Sequence, residues 1–108
     1  MQRLVAPLFC SLAQAGEFTL DHRDPIRVTD KEKSHIHMEM RQFLATTQLI
    51  LAGITAGDMK MVSVAAKKPG MAATGHVPPG LRKKLPLEFK KMGHAVHVGF
   101  DDLARDAD

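Results

Sequence analysis

Beyond Cys10 the 108-residue chain contains no cysteine, and it contains no tyrosine or tryptophan at all. A chain whose one thiol lies in its first ten residues forms no internal disulfide and can do no thiolate chemistry farther along. Long apolar runs are missing too: none approaches the ~20 residues that cross a bilayer, which argues against a membrane span. Charge of one sign is scarce, with a formal net charge of +3, too weak for a phosphate-binding field, so nucleic acid is a poor partner. No Ser-His-Asp grouping, glycine-rich phosphate loop or paired-carboxylate spacing stands out, and the chain is therefore not read as an enzyme. What remains is room for one small domain of ordinary globular composition.

The first residues differ from the rest. Arg3 precedes the apolar stretch from Leu4 to Ala13, and Ala13-Gln14-Ala15 then forms a small-x-small pattern before Gly16. This is the layout of a secretory signal, with residues 1–15 removed on export and the mature protein in the periplasm. Phe9 before Cys10 is too bulky for a lipoprotein anchor site. Residues 16–28 carry Asp21, His22, Arg23, Asp24 and Pro25 without apolar periodicity, and read as an extended leader.

Residues 29–108 read as a helical-bundle domain. Thr29 followed three residues later by Glu32 is a capping box, in which side chains satisfy amide groups that a helix start leaves bare. From Asp30 to Ala56, Ile36, Met40, Phe43, Leu44, Thr47, Leu51 and Ile54 recur at spacings of three and four, which predicts a long amphipathic helix. Gly57 supplies a left-handed residue to close it and Asp58 caps a short second helix, Asp58 to Lys68. Pro69 to Lys84 holds three prolines and three glycines without helical period and reads as a crossover loop. Pro86 then opens a third helix, to Ala107, with Phe89, Met92, Val96, Phe100 and Leu103 in one stripe. Gly93 and Gly99 inside it each cost up to ~1 kcal/mol relative to alanine, so something should approach the backbone closely there.

The expected fold is thus all-α: an incomplete antiparallel four-helix bundle of two long helices, one short helix and a long crossover loop, the two long helices antiparallel. The apolar faces are too wide for three helices to bury. Either a second copy of the chain or a fourth helix is needed to cover them.

Six histidines and seven methionines supply the only soft or borderline ligands. His94 and His97 share a helix face at a spacing that can hold one metal ion or set one imidazole beside a cofactor. His35, His37, Met38 and Met40 lie in the first turns of the long helix, where Met38 is a candidate axial ligand to iron. Periplasmic copper is a further reading of such a His- and Met-rich chain. The alternative for each of these side chains is a surface position or core filling. Arg82-Lys83-Lys84 and Lys90-Lys91 are solvated basic faces, or a docking patch for an acidic redox partner.

From Met38 to Ala107 the order Met40-Arg41-Gln42, Gly57-Asp58, Ala65-Ala66 through Gly70-Met71, Leu85-Pro86-Leu87-Glu88-Phe89 and Gly93-His94-Ala95-Val96-His97 resembles class II cytochrome c, the cytochrome c-prime type. The resemblance covers about two-thirds of the chain and stops at the family's first three helices. It implies a periplasmic haem protein that transfers electrons, often dimeric, with its pocket between helices. It places Met38, Arg41, Phe89, Met92, Gly93, Val96 and Phe100 at the cofactor. The family's Cys-x-x-Cys-His attachment motif is absent after Cys10, so haem, if held, is not held covalently by these residues. A haem-free helical interaction module on the same scaffold is the alternative.

Overall fold

The computed structural model describes residues 19–108, and the expected signal segment and Cys10 lie outside them. Residues 19–29 have no regular secondary structure. Helix α1, Asp30–Ala56, begins where the capping box places it: the Thr29 hydroxyl accepts from the Glu32 amide at 3.2 Å, and the Thr29 amide donates to the Glu32 carboxylate at 2.8 Å. It ends on Gly57 at φ 69°, the one left-handed residue among those described. The Asp58 carboxylate then accepts from the Met61 amide at 2.9 Å and starts α2, Met59–Lys67.

Small residues let α2 lie deep. Val62, Ser63, Ala65 and Ala66 are all at most 3% exposed, and Gly53 of α1 passes close over Val62. The far side of α2 meets the last long helix, Leu87–Asp106, which is α4 in chain order. The core is accordingly Ile50, Val62, Ala65, Ala66 and Ala104, with Phe100, Leu103 and Ala107 packed against it.

Among the described residues the chain is all-helical, without strands, and its helices pack against one another. The direction of the last helix corrects one expectation. Lys84, just before α4, reaches Glu32 at the start of α1, while Phe100, near the end of α4, stacks on Phe43 at 5.7 Å. The two long helices therefore run parallel, not antiparallel. Each is antiparallel to α2, because Lys60 lies beside Asp108 whereas the Asp101 carboxylate accepts from the Met71 amide at 2.9 Å.

The crossover is a second correction. Residues 69–84 are not a plain loop: they contain a 3₁₀ turn, Met71–His76, and a short helix α3, Pro79–Lys84. Pro79 pre-sets the first helical turn, and Leu81 is 1% exposed. A helix of six residues is too short to register as a period of 3.6. The 3₁₀ turn and α3 continue the descending leg begun by α2, carrying the chain back to the level where α1 started.

Candidate functional site: an apolar groove between the long helices

Two parallel helices joined by a broken middle leg leave a groove between them. Ile36, Met40 and Phe43 of α1 line one wall, and Phe89, Met92, Gly93, Val96 and His97 of α4 the other. Met71, Thr74, Val77, Leu81 and Leu85 from the crossover form the floor, enclosing about 540 Å³. That is within the ~300–1,000 Å³ usual for small-molecule sites, and the walls are dominated by apolar side chains as such sites require.

One histidine is held in place at the groove. The His97 Nδ1 lies 2.6 Å from the carbonyl oxygen of Pro69. A carbonyl only accepts, so Nδ1 carries the proton, and in the neutral ring Nε2 keeps its lone pair. The imidazole also stands edge-on to the Phe43 ring at 5.4 Å. Phe43 and His97 together divide the groove from a smaller cavity of about 320 Å³, which is bounded by Glu39, Gln42, Thr46, Leu49, Lys68 and Pro69. Glu39 borders both spaces and sits 3.7 Å from His35 Nε2, a buried nitrogen with no hydrogen-bond partner among the described residues.

No protein-family model, curated protein or solved structure matches this chain.

Of the positions expected at a cofactor, Phe89, Met92, Gly93 and Val96 come together along one groove wall. Phe100 does not line it: the ring is half-buried against Phe43 and the core. Met38 and Arg41 are not brought together with them, for both are exposed and outside the groove lining. At 100° per residue, the face set by Ile36, Met40 and Phe43 turns Met38 and Arg41 toward the other side of α1. For the same reason Met38 cannot join His94 and His97, which do share the groove wall. Among the described residues no three His, Cys, Asp or Glu side chains are grouped to hold a metal ion. No neighbouring element comes within 4 Å of a Cβ built on Gly93 or Gly99, so helix packing explains neither glycine; Gly93 instead opens onto the groove.

The sequence reading missed the floor and the Pro69 carbonyl. Leu81 and Leu85 lie in or beside a stretch read as loop, and a backbone carbonyl that tethers a side chain 28 residues away leaves no mark in composition or period.

Proposed function

We propose that this chain binds a flat apolar ligand non-covalently in the groove between α1 and α4, and that haem is the first candidate. The observation that carries the reading is His97: an imidazole whose Nδ1 proton is committed to a backbone carbonyl, at the edge of an apolar groove of small-molecule size. Metal-ligating histidines commonly have the second ring nitrogen tied in this way, which sets the tautomer and orients the ring. Covalent attachment of the c type does not fit residues 19–108, which hold no cysteine. Non-covalent binding does fit the lining: His97, with Nε2 left free to ligate, would hold the iron, and Phe89, Met92 and Val96 would supply apolar contact to the macrocycle. When bound, haem supplies a one-electron iron couple, and electron transfer in the periplasm is the use the family resemblance implies. The chain's own part is to exclude water with its apolar walls and to orient the imidazole, without catalysis of its own.

Titration of the purified chain with haem tests this. The expected result is a saturable Soret band at one haem per chain, shifted in His97→Ala and abolished when Gly93→Leu fills the groove. An unshifted spectrum of unbound haem at all ratios removes the reading. Export is tested separately: mass spectrometry of periplasmic protein should find Gly16 at the N-terminus, and retention of Arg3 would count against it.

A second reading, a haem-free interaction module, is favoured by exposed apolar side chains. Leu44, Leu51 and Met92 are 61%, 59% and 63% exposed, on the helices that flank the groove, and apolar surface of this kind marks an interaction site where it is contiguous. The cover would be a second copy or a further helix. Sedimentation at micromolar concentration decides it: self-association that Leu51→Lys abolishes supports the reading, and a monomer with high cooperative stability speaks against it.

A further inference from the structure

The groove is apolar along most of its length and charged at one end. Two cations border it, Arg82 from α3 and Lys90 from α4. They arrive from different elements, both at the end where the chain returns to the level of the α1 N-terminus. Arg82 is fixed there, its Nη2 donating to the Thr74 carbonyl at 2.8 Å. Lys90 makes no ion pair among the described residues, although its neighbours do: Lys84 binds Glu32, and Lys91 binds Glu88. The one carboxylate in the lining, Glu39, stands beside His35. One end of a mostly apolar groove therefore carries two cations.

We propose, resting on the small-ligand reading above, that the occupant is a carboxylate-bearing amphiphile whose acid group is held by Arg82 and Lys90. Its apolar body lies along Phe89, Met92, Gly93 and Val96. Lys90, Gly93 and His97 share one face of α4, with the backbone positions of Lys90 and His97 two turns apart, about 10 Å along the axis. This polarity gives the ligand one direction of entry: acid toward α3, apolar body toward His97. A neutral ligand of the same shape gains nothing from the charged end, and a compact anion such as phosphate gains nothing from the apolar remainder.

The test uses the full chain with iron-free protoporphyrin IX and its dimethyl ester, followed by porphyrin fluorescence, so that iron ligation by His97 plays no part. The acid should bind about three- to tenfold more tightly than the ester, as befits two partly exposed ion pairs. Lys90→Gln and Arg82→Gln should each weaken the acid and leave the ester unchanged, with circular dichroism confirming the fold. Added salt should narrow the difference. Palmitate should displace the porphyrin at several-fold lower concentration than hexadecanol, and the relative affinities of porphyrin and fatty acid then identify which class the groove prefers. Equal binding of acid and ester, or equal displacement by palmitate and hexadecanol, would overturn the proposal while leaving the groove a ligand site. Binding of no apolar ligand at all would remove the small-ligand reading itself.

Discussion

The ring of Phe43 stands edge-on to the imidazole of His97, with centroids 5.4 Å apart and planes inclined at 60°. This pairing joins two helices whose starts lie more than fifty residues apart in the chain, and it forms the partition between the groove and the smaller cavity. Because His97 also donates to the Pro69 carbonyl, one side chain ties α4 to α1 and to the end of α2.

His97→Ala should therefore lower stability by about 1–3 kcal/mol, because it removes a hydrogen bond and an aromatic pairing at once. Its effect on ligands should be selective. The spectrum of bound haem should lose the signature of an imidazole on iron, while the affinity for iron-free protoporphyrin changes little.

Gly53 carries the closest approach between α1 and α2. A Cβ there would stand 2.8 Å from Val62 Cγ2 and 3.2 Å from the Asp58 carbonyl oxygen. Gly53→Ala should destabilise the protein by about 1–3 kcal/mol, despite alanine's higher helix propensity. In a thermal-unfolding double-mutant cycle, Val62→Ala should recover part of that deficit, because it relieves the side-chain clash but not the one with the backbone.

Gly93 should behave in the opposite way. With open space where its Cβ would stand, Gly93→Ala should stabilise α4 by about 0.5–1 kcal/mol. Haem titration should show weaker binding in the same variant, since the added methyl enters the groove wall. A rise in stability with unchanged affinity would show that no ligand comes close to this turn.

Acid should loosen the junction of α1 and α3. The Lys84 ammonium beside Glu32, together with the Thr29 amide, holds the Glu32 carboxyl below its ordinary value. A folded value below the unfolded one means that the stabilisation is present above the ordinary carboxylate range and is lost as pH falls through the depressed value. Glu32→Gln keeps an acceptor for the capping box but removes the negative charge that Lys84 meets. It should be less stable than the native protein near neutrality and no less stable in strong acid. Thr29→Ala, which removes the cap itself, should cost about 1 kcal/mol at both pH values. Denaturant melts across the pH range distinguish the two.

How much of this is legible in the chain alone depends on distance along it. The ends of α1 are legible because Thr29 and Glu32, or Gly57 and Ile54, act within four residues of each other. The start of α2 is legible for the same reason, from Asp58 and Met61. The apolar stripe of α4 places Phe89, Met92 and Val96 on one face, and that face is the groove wall. Met38 is placed at the cofactor by the family resemblance and not by periodicity, for the spacing of Ile36, Met40 and Phe43 already turns it to the other side of α1.

Helical class and caps are products of local hydrogen bonding and periodicity, and the order of residues was enough to set them; the buried face of α1 was not among them, since its core positions are Thr46, Ile50 and Gly53 while Leu44, Leu51 and Ile54 of the expected stripe stay exposed. Folding in three dimensions was needed to decide that the long helices run parallel, that residues 79–84 close into a helix over Leu81, and that His97 is the imidazole held at the groove. Those outcomes rest on Lys84 meeting Glu32, Asp101 meeting Met71 and His97 meeting Pro69. Each pair is separated by 28 to 52 residues, and no local preference encodes such a meeting until the intervening chain has folded back on itself.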